Sequence, residues 1–336
     1  MWTLSEEGWP ADPGQKPLLP DDGEARVKTA RSAPLTALVM FLVLLAVGCG
    51  GAAVEGGGTT APAAGFPVEV AGTVIPAAPQ RIVSASASHT EILYALGAGG
   101  RVVATDQFSD FPAEAAATPK LDAFNLGVES VAAFDPDLVI LSFDPGDLQA
   151  GLAALGIPTL LFGPPLGLED LYGQMRALGA ASGLGAETEG LIGQIAADVE
   201  RLGASVPAQQ AGLTYYYELD PTLYSVTSQT FVGSLFSLLG MENIADAADA
   251  AGTGYPQLSA EYILANDPDF IFLADVECCG QSAETVAARP GWDRLGAVAG
   301  GRVIALDDDV ASRWGPRLVD LLAAVVSAVS AEAGAG

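Results

Sequence analysis

The sequence predicts an α/β fold in two lobes, each on a central parallel-type sheet, joined by one long α-helix. Three observations predict it. First, one stretch occurs twice. Asn125–Ile140 and Gln257–Phe272 each carry a Glu (Glu129, Glu261), a short turn of small and apolar residues, Asp-Pro-Asp (135–137, 267–269) and an apolar run. The Pro stops a helix and the apolar run starts a buried strand. The Glu-to-Asp spacing is the same in both copies, so the repeat reads as two similar lobes with one surface carboxylate at the same place on each. Second, strand-type runs alternate with helical patterns on both sides of the chain's middle. Third, residues from Leu168 to about Gly203 carry no strand signal and fit two helices broken near Gly183-Leu184-Gly185. The second, Ala186 to Leu202, has Leu191, Ile195, Val199 and Leu202 at helical spacing and makes a stiff connector. Each Asp-Pro-Asp alone is ordinary helix-to-strand punctuation; punctuation alone explains the matched glutamates less well.

A chain of 336 residues is long enough for two domains with cores of their own. Half of the residues are hydrophobic, which marks a globular chain and not a disordered one. The formal net charge is −27. So acidic a surface argues against nucleic acid, whose phosphates call for basic side chains, and matches anionic lipid headgroups poorly. The few arginines are local exceptions to this field.

Residues 1–48 read as a signal peptide. The apolar run Leu35–Val47 follows Arg26, Lys28 and Arg31 and is shorter than the ~20 residues of a spanning helix. The preceding segment is long for a signal peptide, and Val27, read from a GTG codon, is a candidate start. Leu45-Ala46-Val47-Gly48-Cys49 resembles a bacterial lipoprotein lipobox, with Ala46 where Leu is usual, and makes Cys49 the expected lipidation site. The alternative is an uncleaved anchor with an incidental Cys. Residues 49–65, rich in Gly, Ala, Thr and Pro, form a flexible tether. The expected protein is extracytoplasmic and touches the membrane only through the lipid on Cys49.

The first lobe is expected over residues 66–185. Arg81–Ala85 is a strand; Ser88-His89-Thr90-Glu91 fits a capping box with Ser88 as N-cap; Gly97 ends that helix. Arg101–Thr105 is the next strand. Ser84 to His89 therefore stands at the carboxyl end of a parallel strand, where open α/β sheets bind ligands. Asp106–Pro112 follows the second strand at the same edge, and Ser142-Phe143-Asp144 leaves the buried strand 137–142 there. Gly156–Phe162 supplies the last strand.

After the connecting helix, placed at 186–204, the second lobe covers 205–336. It opens with the aromatic strand Thr214–Glu218 and a short return at Tyr224–Ser228. Phe231–Leu239 is a helix ended by Gly240, Arg302–Leu306 a strand, and Leu318–Val329 the closing helix, after Pro316 at its start. Cys278-Cys279 follows the strand Phe270–Ala274, and Glu277–Gln281 thereby stands beside the cleft. In an oxidising compartment the pair is a candidate vicinal disulfide; two reduced, packed thiols are the alternative.

Taken in this order and spacing, Arg81-Ile82-Val83-Ser84 with Thr90-Glu91-Ile92-Leu93, Ser109-Asp110-Phe111-Pro112, the two Glu repeats and Ser312-Arg313-Trp314-Gly315-Pro316-Arg317 resemble the substrate-binding proteins of iron-siderophore and cobalamin ABC importers. The resemblance covers about residues 66–331. It implies two Rossmann-like lobes linked by one long helix, closing only slightly on ligand. It implies that Glu129 and Glu261 dock to Arg clusters of an ABC permease, where charged pairs set register. It implies a monomer with no resident cofactor, whose ligand is an Fe(III) chelate or a corrinoid. The same resemblance assigns Phe108, Phe124 and Tyr255 to aromatic pocket positions and Asp309 and Arg313 to polar ones. Tyr217 and Tyr224 join them from their expected place at strand ends. Aromatic rings supply rigid apolar area and a few polar groups orient the ligand. Arg313 suits an anionic chelate, or else forms a structural ion pair with Asp309. Arg317 is expected to be structural, capping or pairing inside its helix.

His89 is the only His. As a haem ligand it would need Tyr217 or Tyr224 across the cleft; as a hydrogen-bonding group at a helix start it needs neither. The sequence has no cluster with metal-site spacing and no Gly-x-Gly-x-x-Gly, Gly-x-Ser-x-Gly or phosphate loop, so an enzyme is not expected. A ligand-sensing domain docking to a receptor is the third class.

Overall fold

The computed structural model describes residues 65–207 and 211–333. The signal peptide, Cys49 and nearly all of the tether lie outside the described residues. The described chain opens with an antiparallel hairpin of β1 (Val68–Val70) and β2 (Thr73–Ile75), turned by Ala71 and Gly72, both at positive φ.

The first lobe then alternates strand and helix: β3 (Ile82–Ala85), α1 (Ala87–Ala95), β4 (Val102–Asp106), α2 (Ala113–Ala116), β5 (Lys120–Leu121), α3 (Val128–Ala132), β6 (Leu138–Leu141), α4 (Leu148–Ala154) and β7 (Thr159–Leu161). The sheet order is β5-β4-β3-β6-β7, all parallel. Every residue of β3 and β6 is buried, because helices cover both faces of a parallel sheet.

Two helices lead out: α5 (Leu168–Ser182) and α6 (Gly185–Ser205). They break where expected. Gly183 caps α5 at φ 72°, a left-handed conformation that suits glycine. Gly179 lets the helices close up, since a Cβ there would stand 2.0 Å from Thr188 Oγ1. At 21 residues, α6 runs about 30 Å at 1.5 Å per residue. Its buried stripe is Ile192, Ile195 and Leu202, with Leu191 and Val199 at the margins.

The second lobe follows as β8 (Thr214–Glu218), α7 (Phe231–Leu238), β9 (Glu242–Asn243), α8 (Ala260–Asn266), β10 (Phe270–Leu273), α9 (Val276–Cys279), α10 (Ala283–Ala287), α11 (Gly296–Ala299), β11 (Val303–Ala305), α12 (Asp308–Ser312) and α13 (Leu318–Ala333). Its order is β11-β10-β8-β9, again all parallel. The return expected at Tyr224–Ser228 reduces to one antiparallel bridge, Tyr224 to Gln257. The two inner sheet faces, α5, α6 and α13 share one continuous core, running from Ile82 and Ile140 through Met175 and Ile195 to Phe272 and Val325. Each outer face has a separate core.

The repeat has a structural meaning in both lobes. The first Asp of each tripeptide turns the chain at positive φ, 47° at Asp135 and 42° at Asp267. The second Asp pins the neighbouring central strand. Asp137 accepts the backbone N–H of Gln80 and Arg81 ahead of β3 (2.7 and 2.8 Å), and Asp269 accepts that of Thr214 in β8 (2.8 Å). The glutamates take no part in this and remain exposed in the first turns of α3 and α8.

Candidate functional site

A parallel sheet presents ligands at the carboxyl ends of its strands, where strand order reverses. In the first lobe that point lies between β3 and β6. A pocket of about 220 Å³ opens there, lined by Ser86, Ser88, Asp106, Ser142 and the rings of Phe108, Phe124, Phe143 and Trp314. Trp314 comes from the second lobe, so this pocket is the floor of the cleft between lobes. Phe108, Phe124 and Phe143 are 46%, 62% and 50% exposed, unusual for such large apolar rings. Phe108 and Phe124 meet edge to face, ring centroids 5.7 Å apart. The pocket is smaller than a drug-sized ligand needs, so a bulky guest would extend over the exposed rings. A larger hollow of about 690 Å³ runs farther along α1 to Gly99–Val102 at the amino end of β4, past Phe111 and the Glu91–Arg317 pair. No strand offers its carboxyl end to it, and the smaller pocket is the better ligand site.

Charged groups lock the lobes together beside this pocket. Arg313 donates to Glu91 (3.1 Å), Asp110 (2.7 Å), Asp309 (2.5 Å) and the Phe108 carbonyl (2.8 Å). Arg317 grips both oxygens of Glu91 (2.6 and 2.9 Å) and lies over the Phe111 ring. The backbone N–H of Trp314 donates to Ser88 Oγ (3.2 Å). Burial works against the Asp110 carboxylate, but hydrogen bonding and charge from Arg313 hold it below its ordinary value. At Asp309 burial prevails over Arg313 and raises it.

This changes three expectations. Ser88 is not the N-cap of α1; Ser86 is, with no side-chain cap bond, and the buried Glu91 serves the two arginines. Arg313 pairs with Asp309, as one reading had it, but with two further carboxylates as well, and both of its terminal nitrogens are taken by groups of the protein. Arg317 pairs across the lobes and not inside its helix.

His89 is fully buried, with both ring nitrogens engaged inside the protein and neither turned to the pocket. Its Nδ1 meets Ser86 Oγ (2.7 Å) and its Nε2 meets Gln174 Oε1 (3.1 Å), while the Gln174 amide donates to Gly163. Burial, opposed by the Gln174 hydrogen bond, lowers its pKa to about 4, so the ring is neutral. Tyr217 is also withdrawn from the cleft. Residues alternate faces along β8, and both faces of this strand are covered, so Tyr217 lies in the core with its hydroxyl donating to Ala311 O (2.8 Å). Tyr224 and Tyr255 are exposed on paired loops of the second lobe, outside the pocket lining.

The second sheet's reversal point, between β8 and β10, holds a buried acid pair. Glu218 takes a two-pronged contact from Arg289 (2.6 and 2.5 Å), which also donates to Gln281. Asp275 is equally buried, with no hydrogen-bond partner for either oxygen among the described residues. Burial, then the adjacent Glu218, pushes its pKa up to about 7. Directly after it, α9 carries Cys278 and Cys279, exposed and joined by a disulfide. The N–H groups of Val276, Glu277 and Cys278 all point at the Asp308 carboxylate (2.8, 3.0 and 2.8 Å).

The family's description, periplasmic binding protein, matches residues 82–310. The chain belongs to the periplasmic binding protein family. It is 29% identical over 250 residues to the uncharacterized ABC transporter substrate-binding lipoprotein YvrC of Bacillus subtilis, covering 72% of this chain and 77% of that protein. Among solved structures it is similar to the periplasmic vitamin B12 binding protein BtuF of Vibrio cholerae (26% identity, TM-score 0.61, covering 75% of this chain and 97% of that one). It is likewise similar to the periplasmic heme-binding protein RhuT of Roseiflexus sp. RS-1 (25% identity, TM-score 0.66, covering 74% and 99%). The chain is thus an extracytoplasmic substrate-binding protein of the ABC-importer type, not an enzyme. No helix among the described residues is long and apolar enough to cross a membrane.

Sequence reasoning missed Phe143, Trp314 as a pocket wall, and Glu91 as a lobe bridge. For Phe143 a signal existed: it leaves the carboxyl end of β6 beside Ser142. For Glu91 none did, because its partners are more than 200 residues away.

Proposed function

We propose that this protein is the capture subunit of an ABC importer for a bulky metal chelate, an iron-siderophore or cobalamin, held at the membrane by a lipid on Cys49. The observation that carries the reading is the set of exposed rings, Phe108, Phe124 and Phe143, gathered at the reversal point of the first sheet and facing Trp314 of the second lobe. Rings left this open are covered by a ligand with apolar area of its own. The metal arrives inside the ligand, so the protein needs no resident cofactor. The shared core and the Glu91–Arg313–Arg317 bridge restrain the lobes, so capture proceeds with small movements. Glu129 and Glu261, exposed at matching positions and in no ion pair among the described residues, are the carboxylates for Arg clusters on the permease. A monomer meets these needs.

Calorimetric titration of the full-length chain in detergent with cyanocobalamin and a set of ferric siderophores tests this. Saturable one-to-one binding of one of them is expected. Binding of none contradicts the reading and favours a sensing domain for another solute. Haemin binding that survives His89→Ala would turn the ligand class to haem without involving His89.

A further inference from the structure

We infer that the cleft selects its chelate by charge, admitting neutral or cationic chelates and rejecting polyanionic ones. This rests on the capture reading above and narrows it.

The cationic side chains at the carboxyl edges of the two sheets are already committed. Arg313, nearest the pocket, is held by Glu91, Asp110 and Asp309 together with a backbone carbonyl. Arg317 spends its Nε and one Nη on Glu91 and its face on Phe111. The Lys120 ammonium has three donors, and they go to Thr105 Oγ1, the Ser109 carbonyl and the Ala115 carbonyl. Arg289, at the second sheet's reversal point, is closed by Glu218 and Gln281. Turning any of these arginines to a ligand would leave a part-buried carboxylate unpaired, which is the costly outcome for a buried pair.

Acidic groups border the same space. Asp106 lines the pocket, with its carboxylate accepting from the Phe108 N–H and the Ser109 hydroxyl. Asp110 and Asp309 flank Arg313, and with Glu91 they set three carboxylates against two arginines, Arg313 and Arg317. The whole chain adds a net −27. What the pocket offers a guest is therefore aromatic area and the hydroxyls of Ser86, Ser88 and Ser142, with no Lys or Arg in its lining. A polyanion entering here meets repulsion, and an uncharged or cationic complex does not.

The test is calorimetry on the full-length chain in detergent with cationic ferrioxamine B, neutral ferrichrome, neutral cyanocobalamin and trianionic ferric enterobactin. The best neutral or cationic ligand should bind at least about 100-fold tighter than the trianion, the scale of two unit charges about 6 Å apart at an effective dielectric of about 20. Shape is separated from charge by the double variant Asp110→Asn with Asp309→Asn, which strips two carboxylates from Arg313 and should narrow the gap about tenfold. A trianion binding within threefold of the best neutral ligand overturns the charge rule and leaves the capture reading intact. A gap unchanged in the double variant assigns the preference to shape and also overturns it. Binding of none of the four removes the capture reading, and the charge rule with it.

Discussion

Replacing Glu91 with Ala should loosen the molecule more than any other single carboxylate change near the cleft. The Glu91 side chain is 3% exposed, and its partners Arg313 and Arg317 are 10% and 17% exposed. Breaking a pair this buried by removing one partner costs about 3–5 kcal/mol. Two features soften the loss. Arg313 keeps Asp110 and Asp309, and Arg317 keeps the face of Phe111, a contact of about 0.5–2 kcal/mol. The expected destabilisation is therefore about 2–4 kcal/mol, read by urea unfolding with an unchanged slope. Asp110→Ala is the internal comparison. It removes another Arg313 partner, but one 54% exposed, and should cost no more than about 1 kcal/mol. If Glu91→Ala costs the same as Asp110→Ala or less, Glu91 does not bridge the lobes in solution and the reasoning fails.

Ala at both Glu129 and Glu261 should leave the ligand dissociation constant unchanged and abolish uptake in cells; uptake that persists would remove the docking assignment. Asp275, raised to about 7 in the folded protein from an ordinary 3.8, gives stability that is complete at acid pH and lost as pH rises through 7. Asp275→Asn should flatten urea-unfolding stability between about pH 4 and 7, the interval between its unfolded and folded values, and an equally steep loss in the variant would show that another group titrates. His89 has the opposite sense. Its folded pKa of about 4 lies below the ordinary 6.5, so stability is present above 6.5 and lost as pH falls toward 4, by up to about 3 kcal/mol. His89→Gln should remove that acid loss, and a variant as acid-labile as the parent would contradict the buried neutral ring.

Elements were legible where a local rule governs them. Gly183 ended α5, Pro136 and Pro268 ended α3 and α8, and the buried runs at 138–141 and 270–273 declared central strands before any contact was known. The repeat revealed two lobes because each copy repeats a whole helix-turn-strand unit. Pairings across the lobes were not legible. Ser88-His89-Thr90-Glu91 satisfies the capping pattern, yet the buried arginines outbid a cap bond for Glu91. Tyr217 is expected in the cleft from its place near a strand end, but both faces of β8 are covered and its hydroxyl is taken by Ala311 O of α12. The short strands β5 and β9 follow no apolar run and gain their pairing from the neighbouring longer strand.

The central claim is that the rings at the first sheet's reversal point hold the chelate. The most direct test is the dissociation constant of the best ligand for the parent chain and for Phe124→Ala and Phe143→Ala. A ligand that covers these half-exposed rings should lose about 1–2 kcal/mol with each, roughly five- to thirtyfold in affinity, while Tyr217→Phe should leave it unchanged. Full affinity in both phenylalanine variants would place the ligand elsewhere on the protein.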